Sequence, residues 1–302
     1  MENYLEINKR SWDAKVELHL KSDFYFVDEF MKGRTSLNSI ELELLGDITD
    51  KRILHLQCHF GQDSISLSRM GAKVTGIDLS EKAIETAKDL ARKCGVDTEF
   101  ICCDVYSLPD CLNEKYDIVF TSYGTIGWLP DLDKWAKIIN HFLKNGGKFI
   151  MAEFHPVIWM FDDDFTKVAY NYFNEKPIIE TYEGTYADQS ADIKQEYVMW
   201  NHSLSEVQNA LIGNGMEIKV FNEYHYSPWP CFRHIKEIEK ILGFKAFKNM
   251  IGLRILASGM WKNLRKENGG FRSLEIKFLW YMLYRHRKSH HNDGFFCCVY
   301  EC

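Results

Sequence analysis

The stretch that most constrains the fold is residues 52–80, RILHLQCHFGQDSISLSRMGAKVTGIDLS. An apolar run at 53–56 predicts a strand, Gly61 marks a tight turn, and residues 62–70 favour a helix. That helix ends at a glycine, and a second apolar run ends in Asp78. Strand, glycine turn, helix and strand in this order predict the first βαβ unit of a nucleotide-binding sheet. We therefore expect an α/β fold with a doubly wound, mostly parallel Rossmann-like sheet.

The turn within this stretch indicates which kind of nucleotide is bound. Asp78 stands where an acid accepts hydrogen bonds from both hydroxyls of a ribose. A dinucleotide turn would carry glycines where this chain has Gln57, His59 and Gly61. A pyrophosphate needs close approach of the backbone at the helix N-terminus, and two long side chains would crowd it. The turn therefore favours a cofactor with adenosine but no pyrophosphate, of which S-adenosylmethionine (SAM) is the commonest.

Polar residues also follow the next predicted strands. The run DTEFICCD ends in Asp104, and KYDIVFTSYG ends in the turn formed by Ser122, Tyr123 and Gly124. In an open parallel sheet the ligand crevice lies outside the carboxyl ends of the strands. We therefore expect Asp78, Asp104 and the Tyr123 turn to meet at one edge of the sheet.

The chain divides into three predicted regions. Residues 1–50 form a helical segment that either covers the cofactor as a lid or only covers a face of the sheet. Residues 51–231 form the cofactor-binding domain, and residues 154–202 within it depart from the sheet pattern as an inserted β-hairpin cap. Residues 232–302 form a basic helical segment that includes a possible closing strand, GFFCCVYEC.

Charge is unevenly distributed along the chain, whose formal net charge is −6. Residues 232–302 carry 14 Lys or Arg against 6 Asp or Glu, whereas residues 1–231 carry 23 against 37. Apolar residues at helical spacing, from Leu253 to Leu264, lie among these basic residues. The segment therefore predicts a helix docked on the acidic body, with membrane-surface contact through residues 245–288 as the alternative.

Composition limits the other classes of function. Of 302 residues 46% are hydrophobic and 26% charged, as in ordinary globular proteins. The nine cysteines show no C-x-x-C spacing, the start resembles no signal peptide, and no apolar run approaches about 20 residues. We expect a cytoplasmic protein with reduced thiols, no metal site and no nucleic-acid partner.

Four stretches together carry a family resemblance. They are LHLQCHFGQDSISLSRMGAKVTGIDLS, CCDVYSLP, TSYGTIGWLPDLDKWA and EFHPVIWMFDDDF, in this order along the chain. The chain resembles class I SAM-dependent methyltransferases, and more narrowly a bacterial small-molecule branch with the LHLQCHFGQD motif. The resemblance covers roughly residues 5 to 230.

This resemblance implies a cofactor-binding role for nine residues. The loop at 55–61 would lie under the methionine moiety of SAM, Asp78 would bind the ribose hydroxyls, and further residues would hold the adenine and line the sulfonium. The wider superfamily has an acid at His55 and glycines at two positions of this loop, whereas the narrower branch shares the present form. The implied set is Gln57, His59, Gly61, Asp78, Leu79, Asp104, Val105, Tyr123 and Gly124.

Methyl transfer requires alignment of the acceptor, exclusion of water and sometimes a base. His155, at the end of the fifth predicted strand, is the candidate base, and its alternative role is to hold the insertion by a hydrogen bond. Tyr123 is a candidate to orient the acceptor or line the sulfonium. Trp128 and Trp159 are candidate pocket walls, and the acidic run 162–164 is expected to be a solvated loop.

The predicted function is methyl transfer from SAM to a small or medium organic acceptor. Three alternatives remain open. The altered loop suits a non-catalytic SAM- or nucleoside-binding protein. The basic segment suits a lipid-directed methyltransferase. Asp78, without the expected glycines, fits an NAD(P)-dependent oxidoreductase less well.

Overall fold

A computed structural model describes residues 3–224, 226–228, 235–241, 244–249 and 295–301. Contacts between residues divide the chain into two units. The first comprises Met1–Phe154, Phe173–Asn222 and Phe296–Cys302, and the second comprises His155–Tyr172 and Glu223–Phe295. The two units are described separately below.

A seven-stranded sheet forms the centre of the first unit, in the order β3-β2-β1-β4-β5-β11-β8. The pairs β3–β2, β2–β1, β1–β4 and β4–β5 are all parallel. This arrangement confirms the predicted doubly wound, Rossmann-like sheet. The strands are β1 Arg52–His55, β2 Lys73–Asp78, β3 Glu99–Cys102, β4 Tyr116–Ser122, β5 Leu143–Phe154, β8 Glu217–Tyr224 and β11 Phe295–Glu301.

Helices connect and cover these strands. Ser80 caps α5 by accepting a hydrogen bond from the backbone N–H of Ala83 at 3.0 Å, as expected of a serine before an amphipathic run. The apolar face of α5, which includes Ile84 and Leu90, is buried. The helices are α1 Tyr4–Lys21, α2 Val27–Met31, α3 Ser39–Leu45, α4 Gln62–Arg69, α5 Glu81–Cys94, α6 Leu108–Cys111, α7 Leu132–Phe142 and α8 Leu204–Gly213.

Alternate residues of the central strands supply two hydrophobic cores. Ile53 belongs to a cluster with residues of α3, and the adjacent Leu54 belongs to a cluster with Trp135 of α7. Both strand residues and Trp135 are fully buried. Because neighbouring side chains of a strand point to opposite faces, an apolar run such as this one is what a sheet covered on both sides requires.

The insertion after β5 contains the predicted hairpin, with β6 Ile178–Glu183 antiparallel to β7 Lys194–Met199. Helix α1 is tied to β7. The Asn8 side chain donates to the carbonyl of Val198 and accepts from its N–H, both at 2.9 Å, and Ser11 Oγ donates to Gln195 Oε1 at 2.9 Å. These hydrogen bonds therefore join the N-terminal helix to the hairpin, and the bonded residues Asn8 and Val198 are 190 positions apart in the sequence.

The C-terminal region is only partly described. The closing strand is present as β11, between β5 and β8. The described residues at 235–249 are not helical, since β9 Ile235–Ile241 pairs antiparallel with β10 Phe244–Asn249. Only two residues, one of them Gly243, separate these strands, and such a connection favours a hairpin over a helix. The amphipathic helix predicted around Leu253–Leu264 lies outside the described residues. Among those described, no helix has the length and apolarity needed to cross a bilayer.

Candidate cofactor and active site

The loop between β1 and α4 keeps the backbone shape of a glycine loop without most of the glycines. Gln57 has φ 54°, His59 has φ 50° and Gly61 has φ 79°, all in the left-handed region. A non-glycine residue there costs about 1–2 kcal/mol. Flanking backbone bonds hold the loop, because the N–H of Leu56 donates to the carbonyl of Phe120 at 2.9 Å and that of Cys58 to Ile77 at 2.8 Å.

Gly61 is required both by its backbone and by its surroundings. A Cβ at this position would lie 2.6 Å from Cε1 of Phe100 and 2.9 Å from Cβ of Ala87. The start of α4 therefore packs directly on β3 and α5. The contact of Gly61 with a cofactor stays a prediction.

The Asp78 carboxylate connects the end of β2 to this loop. Its Oδ2 accepts from the N–H of His59 at 2.7 Å, and its Oδ1 accepts from the N–H of Ser80 at 2.8 Å. Burial raises the pKa of Asp78 to about 6, against these two hydrogen bonds. A carboxylate has about four lone-pair positions, so two acceptor positions remain for hydroxyl groups. Leu79, the next residue, is half-buried.

Asp104 caps the turn after β3. Its carboxylate accepts from the N–H of Tyr106 at 3.0 Å, from the N–H of Ser107 at 2.9 Å and from Ser107 Oγ at 2.6 Å. Val105 is buried. The capping role was not foreseen in the sequence, and the contact of Asp104 and Val105 with adenine stays a prediction.

The turn after β4 is held by a buried carboxylate. Glu153 of β5 accepts from the backbone N–H of Gly124, from that of Thr125 at 2.8 Å and from that of Ile126 at 3.3 Å. Tyr123 and Gly124 both have left-handed backbones, with φ 42° and 73°. Sequence reasoning gave Glu153 little weight, although an acid at the end of a buried strand could have signalled a turn-holding role.

The Tyr123 side chain turns toward α3. Its hydroxyl donates to Oε2 of Glu41 at 2.7 Å, and its ring lies 6.3 Å from that of Phe154. Glu41 is 1% exposed. Burial, followed by the charge of Asp63, raises the pKa of Glu41 to about 7. The predicted role of Tyr123 toward acceptor or sulfonium stays a prediction.

A pair of histidines connects the loop to the N-terminal helix α1. Nε2 of His59 and Nδ1 of His19 share a hydrogen bond of 2.9 Å. Burial lowers the pKa of His19 to about 3 and that of His59 well below its usual range, so both rings are neutral at pH 7. Their outer nitrogens, His59 Nδ1 and His19 Nε2, are buried without a partner among the described residues.

An aromatic cluster surrounds these histidines. The Trp12 ring lies 5.2 Å from that of His59 and 5.2 Å from that of Trp128, and the Tyr186 ring lies 4.7 Å from that of His19. The Tyr186 and Tyr25 hydroxyls are hydrogen-bonded. Segments from α1, the β1 loop, the β4 turn and the insertion thus meet at the carboxyl edge of the sheet. The members are Trp12, His19, Tyr25, His59, Trp128 and Tyr186. The role of Trp128 as a pocket wall stays a prediction.

Gln57 and Lys15 are two further polar side chains at this edge. Gln57 Nε2 donates to the carbonyl of Thr125 at 2.9 Å, while its Oε1 is buried without a partner among the described residues. Lys15 of α1 is 7% exposed, with Nζ 4.5 Å from the centroid of the Trp12 ring. Sequence reasoning missed Lys15, although it shares the helical face of Trp12 and His19.

The candidate base lies in the second unit. His155 Nε2 shares a hydrogen bond of 2.9 Å with Oε1 of Glu223, and its Nδ1 accepts from the N–H of Val157 at 3.3 Å. Burial lowers the pKa of His155, and Glu223 opposes that shift. Trp159 belongs to the same unit. The catalytic role of His155 stays a prediction.

The acidic run at 162–164 begins with a residue that organises its own loop. Oδ1 of Asp162 accepts from the N–H of Thr166 at 2.6 Å and from that of Lys167 at 3.2 Å. These bonds lower the pKa of Asp162, although its slight burial raises it. The local turn accounts for an acid here without any ligand.

Residues 53–147 match a family model described as a methyltransferase domain. The matched stretch is less than half of the chain. It contains β1 to β4, the loop at 56–61, Asp78 and the turn at 123–128. This match agrees with the sequence prediction of a methyltransferase for this stretch of the chain.

Curated relatives are similar over this part of the chain. An uncharacterized RNA methyltransferase of Clostridium acetobutylicum is 31% identical over 131 residues, which is 43% of this chain and 28% of that protein. A ubiquinone biosynthesis O-methyltransferase of Idiomarina loihiensis is 28% identical over 137 residues, covering 44% of this chain and 56% of that protein. The chain thus spans about half or less of the length of these two relatives.

A solved structure is similar over nearly the whole chain. It is geranyl diphosphate C-methyltransferase from Streptomyces coelicolor A3(2), in complex with Mg²⁺, geranyl diphosphate and S-adenosyl-L-homocysteine. The TM-score is 0.52 at 14% sequence identity, with 99% of this chain and 97% of that chain covered. At this identity the likeness concerns the fold.

Proposed function

We propose that the whole chain is a SAM-dependent methyltransferase that acts on a small or medium organic acceptor. The observation that carries the proposal is the meeting of two strand ends and one loop. The loop at 56–61 is bonded to Asp78 at the end of β2 and, through Gln57, to Thr125 after β4. This happens within the stretch that matches the methyltransferase family model.

The residues of this edge fit SAM better than a dinucleotide. Asp78 keeps acceptor positions for two ribose hydroxyls, and unpartnered polar atoms on Gln57 and His59 suit an amino-acid group. No run of glycines opens the loop to a pyrophosphate. When bound, SAM supplies an electrophilic methyl group on a sulfonium. The bonded loop would fix its orientation, and the aromatic cluster would exclude water.

His155 is proposed as the base that takes the proton of the acceptor. Burial lowers its pKa, and its Nε2 is held by Glu223. Nδ1, which accepts from the N–H of Val157 at 3.3 Å, is the nitrogen that would take the proton. Tyr123 is proposed to line the site beside Gly124. That the acceptor is a small or medium organic molecule is inferred from the family resemblance of the sequence.

The decisive test measures release of S-adenosylhomocysteine from SAM in the presence of a metabolite panel. Wild-type turnover with one acceptor, lost in Asp78→Ala, supports the proposal. Binding of SAM without turnover of any acceptor would favour the non-catalytic alternative, which the strained, glycine-poor loop suggests. Membrane flotation with and without residues 245–288 tests the lipid-directed alternative, whose segment lies mostly outside the described residues.

A further inference from the structure

Lys15 is a buried cation with no counter-ion among the residues that the structure describes. Its side chain is 7% exposed, and no hydrogen bond or ion pair to it exists within the described part of the chain. Nζ lies 4.5 Å from the centroid of the Trp12 ring and 5.3 Å from that of Trp128. Cation–π contacts recover only part of the hydration that a buried ammonium loses. The two tryptophan rings therefore hold Lys15 in place, while its charge stays available to a ligand.

The surroundings of Lys15 are poor in acids. Burial lowers the pKa of Lys15 to about 8, and no carboxylate in the described part of the chain opposes that shift. The neighbouring titratable groups are His19 and His59, both neutral, and the Lys15 charge adds to the lowering of their pKa values. A positive centre that no described residue neutralises, at the edge proposed to bind an organic cofactor, indicates an anionic group on the ligand.

A second observation points to the kind of ligand. Oε1 of Gln57 is a buried acceptor without a partner among the described residues. Gln57 reaches the carbonyl of Thr125, and Trp128, against which Lys15 packs, donates from Nε1 to the carbonyl of Gly124 at 2.8 Å. Gln57 and Lys15 are therefore both connected to the turn that follows β4. An acceptor beside a cation complements a zwitterion, with an ammonium on one side and a carboxylate on the other.

We propose that Lys15 binds the carboxylate of the methionine moiety of SAM, with Gln57 Oε1 accepting from its ammonium group. This inference rests on the proposed function, because SAM is the zwitterion which that function brings to the loop. It extends the cofactor site to helix α1, outside the stretch that matches the family model. Trp12 and Trp128 keep the ammonium of Lys15 in position before the cofactor arrives.

Two ligands separate the methionine end from the rest of the cofactor. S-adenosylhomocysteine carries the amino and carboxylate groups, and 5′-methylthioadenosine has the same adenosine and thioether without them. Calorimetry should show that Lys15→Met weakens the binding of S-adenosylhomocysteine at least tenfold. The same substitution should change the affinity for 5′-methylthioadenosine less than twofold. Lys15→Arg keeps the charge and should retain most of the affinity. Lys21→Met, an exposed change on the same helix, is the matched control.

Folding does not obscure this test. Removing an unpaired buried charge should leave the melting temperature of Lys15→Met unchanged or higher. If that variant does not fold, Lys15→Gln replaces it. Equal losses for both ligands, no loss for either, or an effect confined to the KM of the acceptor would each overturn the assignment. A wild-type protein that binds neither ligand would overturn the proposed function as well, so the two failures are distinguishable.

Discussion

The backbone N–H of His59 donates a hydrogen bond of 2.7 Å to Oδ2 of Asp78. The residue expected to recognise the ribose thus also fixes the loop expected to lie under the methionine moiety. The other oxygen is bonded to Ser80 at the start of α5. One carboxylate therefore joins a strand end, a loop and a helix N-terminus.

Asp78→Ala should lose both functions of this carboxylate. We expect S-adenosylhomocysteine affinity to fall about 10- to 100-fold, since hydrogen bonds to a charged group contribute about 1.5–3 kcal/mol. Asp78→Asn retains an acceptor and should lose less. Calorimetry measures both, with Asp97→Ala on the exposed surface before β3 as the control. Unchanged affinity in Asp78→Ala would remove Asp78 from the site.

Two replacements of Gln57 distinguish the contribution of its side-chain hydrogen bond from the cost of its left-handed backbone. Both Gln57→Ala and Gln57→Gly lose the 2.9 Å bond to Thr125. Only glycine relieves the left-handed backbone at φ 54°. We expect Gln57→Gly to be more stable than Gln57→Ala by about 1 kcal/mol in urea unfolding. The opposite order would mean that the loop does not hold this conformation in solution.

Gly61→Ala should be strongly destabilising. The added methyl group would lie 2.6 Å from the Phe100 ring, in addition to the cost of a side chain at φ 79°. We expect a loss of about 3 kcal/mol in the free energy of unfolding. Gly95→Ala, at φ 66° with no atom within 4 Å of the added Cβ, isolates the backbone cost and should lose about 1 kcal/mol. Similar losses at both positions would contradict the packing argument.

Glu41 should make stability depend on pH. Burial raises its pKa from 4.5 to about 7, so the folded protein holds the proton more tightly than the unfolded chain. Its contribution to stability therefore falls as pH rises from about 4.5 to 7, by about 3 kcal/mol if the full shift is realised. Glu41→Gln stays neutral and should gain this amount relative to wild type between pH 5 and 8. Exposed Glu43→Gln should run parallel to wild type. Parallel Glu41→Gln and wild-type curves would contradict the burial of this carboxyl group.

His155→Ala tests the proposed base. With an acceptor identified from the panel, kcat should fall about 10²- to 10⁴-fold, because general-base catalysis contributes in that range. Affinity for S-adenosylhomocysteine should remain within twofold of wild type. His141→Ala on the exposed side of α7 is the control. A kcat that stays within twofold would leave His155 with only a structural role, through its hydrogen bonds to Glu223 and Val157.

Local patterns in the sequence were enough to predict the parallel sheet and the acid at the end of β2. A helix with period 3.6 and a strand ending in an acid are visible within a dozen residues. The bond between His19 and His59, and that between Glu41 and Tyr123, join residues 40 and 82 positions apart. No spacing rule links such pairs. Lys15 was missed for the same reason, since its unpaired charge becomes apparent only when the rings around it are in place.

The paired hydrogen bonds between Asn8 and Val198 have a kinetic consequence. Helix α1 is tied to β7, and Trp12 and Tyr186 meet with ring centroids 6.4 Å apart. The helix and the hairpin are therefore expected to open as one body. Release of S-adenosylhomocysteine and binding of SAM would then both require this joint opening. We therefore expect the association rate constants of these ligands to lie far below the diffusion limit.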